Sequence, residues 1–466
     1  MKRFSVHQLY LIAFCSSLMI LSGCSSSSTQ DSAETELLSV VVISRHGIRS
    51  PTSSVEILNQ YTERSEGFPI WPPSANDPDL PENLSIVGQQ NVARLGSWYR
   101  DFYADQGLLP QRGSCPAAGT VFVYADVFER TLHTAEGYRE GMFFSERTPG
   151  CGIQVAHSIN LQSPDPYIDT VSAGVCQIDR ESDLAAFNAK TGGSAVSLIA
   201  AYSAQLQMLQ AVTQFSIMDL PTEITATGPV AFASGTLFNV ADTVTETFEL
   251  EYAQGMPDKE CATITGAQCV GWGAIPPGGL YDMTKLHVMN MQLSCSLPSF
   301  AQAGSTNLMH QLVGTMDQRL SGVKNPDMLA PVESKFTLFV AHDENLLAIA
   351  AFLGGVTWKA EGFQQNDPGP AGALVFELHR VKPRGELVVR LFYLIATLDQ
   401  MRYRTTLTLN TPPQRIPLAI PACSGRYNCP YDQFKTFITA HLRQDCLVTP
   451  ASKAASKTIK PGGHPF

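Results

Sequence analysis

Three segments of the 466-residue chain share one pattern of hydrophobic and polar positions. In each, a run of β-branched and other apolar residues leads into a polar turn and then into helix-like spacing. The apolar runs cover residues 37–43, 120–125 and 336–341, and the polar turns cover residues 44–52, 126–130 and 342–345. Continuous apolar runs that precede helices are typical of parallel strands covered on both faces. The pattern predicts an α/β fold with a mostly parallel central sheet flanked by helices.

The region between the second and third of these segments has a different pattern. Residues 177–300 contain no comparable strand and turn. Helix-like spacing recurs within them over residues 184–190, 196–218 and 242–253. We therefore expect a mostly helical domain at 177–300, inserted into an α/β domain formed by residues 37–176 and 301–449.

Two further features lie closer to the carboxyl terminus. Apolar runs at residues 374–378 and 386–394 are separated by the turn sequence PRG, which predicts a β-hairpin. Residues 450–466 are rich in Lys, Ser, Pro and Gly, a composition that predicts a flexible tail.

The amino terminus has the pattern of an export signal. Basic residues precede an apolar run over residues 9–21, which is too short to cross a bilayer as a stable helix. The run ends in LSGC at residues 21–24, which resembles a bacterial lipobox, where lipid is attached to the cysteine and cleavage occurs before it. We predict a signal peptide at 1–23, lipid on Cys24 and a flexible tether over 24–36. An ordinary secretory signal with a chance cysteine is the alternative.

The residue after the lipid-carrying cysteine indicates the destination. Ser25, in place of Asp, resembles lipoproteins that are released to the outer membrane of a Gram-negative host. We therefore expect an exported lipoprotein, held at the outer membrane through Cys24 and facing either the periplasm or the cell surface.

Charge and motifs exclude several classes of function. The formal net charge of −10 argues against a nucleic-acid binder, which needs a basic face. The sequence has no GxxxxGK[ST] motif, and the GWG at residues 271–273 lacks the third glycine of a dinucleotide site. We expect neither a nucleic-acid partner nor a cofactor, and the sequence leaves the oligomeric state open.

The cysteines favour an oxidising compartment. The chain has 11 of them, and two pairs lie close together in polar or Gly-rich stretches, where they predict small disulfide loops: Cys261 with Cys269, and Cys423 with Cys429. Four others are able to form two longer bridges: Cys115, Cys151, Cys176 and Cys446. Cys295 is the odd residue, more typical of a buried thiol than of a reactive one. A zinc site is the competing interpretation, but no CxxC or Cys/His cluster supports it, so we expect no metal.

The three polar turns bring reactive side chains to one edge if their strands share a sheet. Ligands of parallel sheets bind beyond the carboxyl ends of the strands. The side chains that meet there are Arg45, His46, Arg49, Arg130, His342 and Asp343. Three guanidiniums and two imidazoles at one point need an anionic partner, and the guanidinium fork matches a tetrahedral oxyanion such as phosphate. The sequence thus predicts a site for a phosphate monoester.

The same residues supply the groups that hydrolysis requires. His46 is flanked by cations and can attack phosphorus through a neutral ring nitrogen, which requires its other nitrogen to be oriented, as by a backbone carbonyl. Asp343 is the candidate general acid for the leaving alcohol. Because that role requires a protonated carboxyl group, we expect an acidic pH optimum.

These residues also match a family. RHGIRSP at residues 45–51 is the RHGxRxP signature, and His-Asp at 342–343 resembles the later HD element, of the histidine acid phosphatases. The resemblance continues through residues 125–131, 254–257, 271–273 and 409–413 and is nearest to the bacterial phytase and glucose-1-phosphatase branch. It implies an α/β domain with a helical insert and a covalent phosphohistidine mechanism.

The resemblance assigns roles to individual residues. It implies that His46 is the nucleophile, that Asp343 is the proton donor, and that phosphate is bound by Arg45, Arg49, Arg130 and His342. Thr52, directly after the signature, is a candidate hydrogen-bond donor to phosphate. Glu246 is a candidate cleft contact, because it lies in the helix that borders the substrate cleft in the family.

The family also implies a disulfide pattern, with Cys115 paired to Cys151 and Cys176 paired to Cys446 beside the two short loops. It leaves Cys295 unpaired. The histidines without a motif are expected to be surface or satisfied core residues: His133, His157, His287, His310, His379 and His441.

Two departures from the family bear on the substrate. Ser53 stands where phytases of this branch often carry Lys, and Glu344 stands where relatives often have Ser or Thr. Both changes disfavour a substrate with many phosphates through unfavourable charge. We therefore favour a broad acid phosphatase. The alternatives are a phytase or sugar-phosphate phosphatase with the same mechanism, and a non-catalytic surface lipoprotein that uses the fold for binding.

Overall fold

A computed structural model gives the fold of this chain. It describes residues 34–71, 81–144, 150–158, 160–256, 275–276, 278–448 and 457–458. The predicted signal peptide, Cys24 and the GWG sequence at 271–273 lie outside the described residues.

The strands are, in chain order, β1 (Thr35–Arg45), β2 (Val121–Ala125), β3 (Val155–His157), β4 (Ile224–Thr225), β5 (Ala231–Phe232), β6 (Phe336–Ala341), β7 (Ala373–Val381), β8 (Glu386–Ile395), β9 (Gln414–Leu418), β10 (Cys429–Pro430) and β11 (Lys457–Thr458). The helices are α1 (Val55–Leu58), α2 (Ile86–Asp105), α3 (Glu129–Phe143), α4 (Arg180–Lys190), α5 (Ala195–Ala201), α6 (Ser203–Thr213), α7 (Leu237–Gln254), α8 (Gly279–Cys295), α9 (Pro298–Ser321), α10 (Asp343–Phe352), α11 (Leu398–Arg402) and α12 (Tyr431–His441).

The main sheet has its parallel strands at the centre. Its order is β10-β8-β7-β1-β6-β2-β3-β11, with β9 also paired to β8. β6 runs parallel to β1 and β2, and β2 runs parallel to β3, whereas the remaining pairs are antiparallel. The three apolar runs of the sequence are therefore the neighbours β1, β6 and β2. The predicted α/β class with a parallel central sheet is confirmed.

The register aligns the ends of these three strands. Arg45, the last residue of β1, pairs with Ala341, the last residue of β6, and Ala125 at the end of β2 pairs with Val340. The strands are almost fully buried, because α9 and α10 pack against β1 while α3 packs against β2, β3 and β6. The polar turns after the three strands consequently leave the sheet at one edge, as the sequence predicted.

Close contact between α2 and α3 fixes the start of α3 next to this edge. A Cβ atom on Gly141 would lie 1.8 Å from the Ala93 carbonyl oxygen, and one on Gly96 would lie 2.5 Å from that of Tyr138. Only glycine permits two helix backbones to approach so closely. The same effect joins α2 to the signature loop, since a Cβ on Gly88 would lie 2.1 Å from the Ile48 carbonyl oxygen.

The region 177–300 is mostly helical in its described part, with a short antiparallel pair, β4 and β5. The single helix predicted over 196–218 is instead two helices, α5 and α6, which meet at Tyr202, and α6 ends at Thr213. No Pro or Gly marks that break, so hydrophobic spacing alone did not reveal it. The boundary predicted at residue 300 falls inside α9, which begins at Pro298.

Other sequence predictions are also tested by the fold. The predicted hairpin is present as β7 and β8, joined by residues 382–385. Within the predicted tail, Lys457–Thr458 pair with β3. Within the described ranges, no single helix is long and apolar enough to cross a membrane; residues 180–201 and 203–213 reach that threshold only together and are bent by 53°.

Three disulfides join the described residues, in the pairs that the family resemblance and the short spacing predicted. They are Cys115–Cys151, Cys176–Cys446 and Cys423–Cys429. Among the described cysteines, Cys295 is free and buried, as expected.

The fourth predicted disulfide is not among these pairs. Cys261 and Cys269 both lie in the stretch 257–274, outside the described residues. The small loop between Cys261 and Cys269 therefore stays a prediction, based on their short spacing alone.

Candidate active site

The edge where β1, β6 and β2 end carries the predicted reactive side chains. Arg45 closes β1 and His46 follows it, while His342 follows β6 and Asp343 begins α10. Arg130 lies in the first turn of α3, which follows β2. Parallel strands in matched register are therefore the reason that residues almost 300 positions apart in the chain share one site.

Two arginines of the signature share one carboxylate. Glu246 Oε1, on α7, accepts hydrogen bonds from Arg45 Nη2 at 2.6 Å and from Arg49 Nη2 at 2.8 Å. Arg45 Nη2 also lies 2.9 Å from Asp343 Oδ2. Both guanidiniums are almost fully buried, with 1% and 4% of their residue surface exposed. The guanidiniums of Arg45 and Arg49, here called the arginine fork, are expected to bind phosphate. In the structure they hold two carboxylates.

The charges of the fork set the ionisation of these carboxylates. Burial alone raises the pKa of the Glu246 carboxyl, but the charges of Arg49 and Arg45 outweigh burial and lower the pKa to about 2. Burial likewise opposes ionisation of Asp343, and the same two guanidiniums bring its pKa below the usual value of an aspartate. Both carboxyl groups are therefore ionised in this state of the site.

His46 is held in one tautomer. Its Nδ1 lies 2.9 Å from the Gly47 carbonyl oxygen, an atom that only accepts, so Nδ1 carries the proton and Nε2 keeps its lone pair. Burial, followed by the charges of Arg130 and Arg45, lowers the pKa of His46 well below the ordinary value of an imidazole. The expected backbone carbonyl is present, and the ring is neutral with a free nitrogen.

His342 lies beside His46, with ring centroids 5.7 Å apart. Its Nε2 is 2.6 Å from Asp126 Oδ2, and Asp126 Oδ1 accepts a hydrogen bond from the Val127 backbone at 2.6 Å. The sequence did not single out Asp126 as a site residue. The sequence does contain one indication of its role: Asp126 is a polar residue directly after β2, within a segment that matches the family.

Arg130 has a partner nearer the surface. Its Nη1 lies 2.8 Å from Glu82 Oε2, and its guanidinium lies over the Phe128 ring, 4.5 Å from the centroid. The Glu82 side chain is 41% exposed. A surface carboxylate is easily replaced by a stronger anion, so Arg130 remains able to bind a substrate. Nothing in the sequence around Glu82 marks it as part of the site.

The remaining predicted residues differ in their surroundings. Thr52 is exposed, in contrast to the signature residues before it. Glu344, predicted as an added anion, is partly buried at the start of α10. Burial, with neighbouring carboxylates such as Asp169, raises the pKa of Glu344 to about 7. Its carboxyl group is therefore mostly neutral in acid, whereas the sequence led us to expect an added anion at this position.

The described part of the chain contains no group of three or more His, Cys, Asp or Glu side chains that could hold a metal ion. The guanidiniums of Arg45, Arg49 and Arg130 bring positive charge to His46. A neutral imidazole with a free nitrogen, next to buried guanidiniums and a carboxyl group that faces the same fork, is equipped for phosphoryl transfer to histidine. Fold and site together define a phosphomonoester hydrolase of the histidine phosphatase type.

Comparison with known proteins gives the family. The model of the histidine phosphatase superfamily, branch 2, matches residues 36–394. Phytase AppA of Escherichia coli (strain K12) is 30% identical over 438 residues, which cover 89% of this chain and 93% of that protein. Glucose-1-phosphatase of Salmonella typhimurium (strain LT2) is 24% identical over 91% of this chain and 97% of its own length.

Among solved structures, the phytase of Hafnia alvei in complex with tartrate is similar, with a TM-score of 0.77 and 27% identity. The similarity covers 89% of this chain and 99% of that one. The chain belongs to branch 2 of the histidine phosphatase superfamily, and the resemblance drawn from its motifs is confirmed.

Proposed function

We propose that the protein is an acid phosphatase that hydrolyses phosphate monoesters through a covalent phosphohistidine on His46. The observation that carries this proposal is the state of that ring. The Gly47 carbonyl fixes the proton on Nδ1, and burial together with nearby guanidiniums keeps Nε2 unprotonated. A free imidazole nitrogen in acid solution is otherwise uncommon, because the ordinary group is protonated there.

In the first step the substrate phosphate binds the guanidiniums of Arg45 and Arg49 and takes over contacts that Glu246 makes. The Nε2 lone pair attacks phosphorus, an N–P bond forms, and the ester P–O bond breaks. The leaving oxygen receives its proton from Asp343. The guanidiniums, including that of Arg130, stabilise the equatorial oxygens during transfer, and His342 completes the phosphate site.

In the second step water attacks the phosphohistidine. The N–P bond breaks, its electron pair returns to Nε2, and the Asp343 carboxylate accepts a proton from the attacking water. Phosphate leaves, and both side chains regain their starting states. His46 and Asp343 are therefore the catalytic residues of the proposal.

The proton on Asp343 enters with the substrate. Before binding, Arg45 and Arg49 keep this carboxyl group ionised. A phosphate dianion in the fork offsets the guanidinium charges and repels the carboxylate, so the pKa of Asp343 rises when the complex forms. Proton uptake on binding is easiest at low pH, which accounts for the expected acidic optimum.

Small monoesters are the favoured substrate class. Ser53 supplies no cation beside the signature, so the site lacks a positive charge there that would attract a substrate with many phosphates. Phytate is the second candidate, supported by the 30% identity to a phytase. Glucose 1-phosphate is tested beside it, because the second relative is a glucose-1-phosphatase.

A substrate panel tests the proposal. The soluble form without residues 1–24 is assayed on aryl phosphates, glucose 1-phosphate and phytate between pH 3 and 8. We expect turnover of all monoesters with an optimum in acid and a lower kcat/KM for phytate than for aryl phosphates. A preference for phytate would make the protein a phytase, and a lack of turnover on every substrate would refute the enzymatic proposal.

We also propose that the protein is exported and anchored by lipid on Cys24. The lipobox-like LSGC supports this, as do the disulfides, which form in oxidising compartments. Metabolic labelling with palmitate should label the wild-type protein in the membrane fraction, and Cys24→Ser should remove the label. Label that persists in Cys24→Ser would contradict the anchor.

A further inference from the structure

A buried imidazole lies behind the arginine fork, on the side of α7. His287, on α8, is 2% exposed, and its Nδ1 is 2.6 Å from Asp242 Oδ1. The second oxygen of Asp242 accepts a hydrogen bond from Asn290 Nδ2 at 2.6 Å. Asp242 is thus fixed by two neighbours on α8, and it orients the His287 ring.

The other ring nitrogen of His287 has no acceptor. Nε2 is buried and makes no hydrogen bond among the described residues. Burial favours a neutral ring, but the hydrogen bond and charge of Asp242, followed by the charge of Glu246, raise the pKa of His287 to about 10. The ring therefore carries a positive charge and a buried N–H donor without a partner. Such a donor is unfavourable unless some state of the protein satisfies it.

Several carboxyl groups face this ring. They are Asp242, Glu246 and Glu249 on α7, Asp367 in the loop before β7, and Asp343 on α10. Burial raises the pKa of Glu249 to about 8, so this carboxyl group is neutral in acid. Burial also raises the pKa of Asp367, which disfavours its ionised form. Asp242 is already paired with the ring. Glu246 and Asp343 are the carboxylates that the arginines keep ionised near the charge of His287.

Glu246 is the group that substrate binding disturbs. Its carboxylate accepts from Arg45 and Arg49, which are the donors that a phosphate dianion needs. Once displaced, this carboxylate stays in a buried environment, with 9% of the residue exposed, and an unpaired buried charge is strongly unfavourable. Glu246 lies one helical turn after Asp242, on the same side of α7, where His287 packs.

We propose that His287, oriented by Asp242, is a positioning residue that takes over the Glu246 carboxylate when the substrate phosphate displaces it from Arg45 and Arg49. This inference rests on the proposed function, because it concerns the binding of phosphate in the same fork. His287 does not touch the substrate. It lowers the free energy of the bound state by pairing a charge that binding would otherwise leave alone.

A double-mutant cycle tests the proposal, with competitive inhibition by inorganic phosphate as the readout. His287→Gln should raise the Ki of phosphate about tenfold while kcat changes less than threefold, because the displaced carboxylate loses its partner. In a Glu246→Gln background the same substitution should change the Ki less than twofold, because no charge is displaced. An equal change of Ki in both backgrounds, or no change in either, would overturn the proposal.

Two further variants separate positioning from folding. Asp242→Asn removes the carboxylate that holds the ring charged and should raise the Ki in the same direction as His287→Gln. His379→Gln is the matched control, since His379 is another buried histidine beside a carboxylate, 2.9 Å from Glu377 Oε2. It should lower Tm and leave the Ki unchanged; a raised Ki in this control would assign the effect to general destabilisation. Turnover by the wild-type enzyme in this assay tests the proposed function, and the pattern of Ki values tests the role of His287. A failure of one is therefore distinguishable from a failure of the other.

Discussion

Glu377 and Glu246 are both buried carboxylates among cationic and polar donors, yet the two regions are built differently. Glu377, on β7, accepts hydrogen bonds from Tyr103 at 3.0 Å and from Arg415 at 2.7 Å, and it lies 2.9 Å from His379 Nε2. Its two oxygens serve three neighbours, and its side chain is only 4% exposed. This network lies level with the start of β6, away from the carboxyl ends of the parallel strands.

At Glu246 the arrangement is different, because this carboxylate shares a donor with Asp343: Arg45 Nη2 lies 2.6 Å from Glu246 Oε1 and 2.9 Å from Asp343 Oδ2. Its side chain is 12% exposed, and the Asp343 side chain beside it is 16% exposed. An anion from solvent can therefore reach and replace these carboxylates. The comparison teaches that similar residue types give a fixed structural network where the carboxylate is shut off from solvent, and an exchangeable cluster where solvent reaches the carboxylates and they share a donor.

The largest expected effect separates chemistry from structure. His46→Ala removes the attacking atom and should reduce kcat by about four orders of magnitude or more, while Tm stays within a few degrees of the wild type. The measurement is steady-state hydrolysis of an aryl phosphate, with circular dichroism as the check on folding. His441→Ala, a surface histidine on α12, is the control and should retain full activity. Near wild-type turnover by His46→Ala would remove the basis of the mechanism.

The second prediction concerns the Glu377 network, where a substitution should lower stability and leave activity unchanged. Glu377→Gln leaves the Arg415 charge without its partner and should destabilise the fold by about 3 kcal/mol. Because this network does not contact the arginine fork, kcat/KM at a temperature where the variant is folded should stay within about twofold of the wild type. Urea unfolding and initial rates measure the two quantities. A loss of activity without a loss of stability would show that the two regions are coupled.

The third prediction concerns the exchange of anions at the fork. Sulfate is a dianion throughout the range from pH 4 to 6, so its binding should raise the pKa of Asp343 and take up close to one proton. Isothermal titration calorimetry in buffers of different ionisation enthalpy measures this uptake. Asp343→Asn should abolish it and Glu246→Gln should retain it. Uptake that survives in Asp343→Asn would assign the proton to another group.

The fourth prediction is that the two regions respond to pH in opposite directions. Burial opposes ionisation of Glu377, but His379 and Arg415 lower its pKa, so its stabilisation is present above pH 4.5 and is lost in stronger acid. On the side of the candidate site, burial raises the pKa of Glu249 to about 8 and that of Asp165, which accepts a hydrogen bond from Tyr124 of β2, to about 7. The folded state therefore holds protons that the unfolded state has released between pH 4.5 and 8, and stability falls as pH rises through that range.

Scanning calorimetry at pH 5 and pH 8 should accordingly give a Tm about 5 °C lower at the higher pH. Asp165→Asn is neutral at both values and should reduce that difference. A Tm that rises from pH 5 to pH 8 would show that these acids are ionised in the folded protein.

The elements with strong local signals were predictable from the sequence. The runs that became β1, β2 and β6 are long enough and apolar enough to indicate buried parallel strands, and from them the meeting of Arg45 with Asp343 follows. The tautomer of His46 was also predictable, because a neutral nucleophile requires an acceptor for its other nitrogen.

The partners that depend on distant packing were not predictable. Glu82 reaches Arg130 from a loop, and His287 reaches Asp242 from a separate helix, without a motif around either residue. The break between α5 and α6 was missed for a related reason, since both helices present apolar residues at one continuous spacing. Burial also decides whether the Glu344 carboxyl group is charged. Burial is set by the assembled fold and not by the neighbours of a residue in the chain.

The smallest expected effect is a change in substrate preference at Glu344. The carboxyl group of this residue changes charge within the pH range of the assay. Burial raises its pKa to about 7, so it is neutral at pH 5 and mostly ionised at pH 8. Glu344→Thr should therefore leave the ratio of kcat/KM for phytate to that for an aryl phosphate within about 1.5-fold at pH 5. At pH 8 it should raise that ratio about threefold, the change expected from removing one partly screened charge near a polyanion. An equal rise at both values would mean that Glu344 acts through its size and not through its charge.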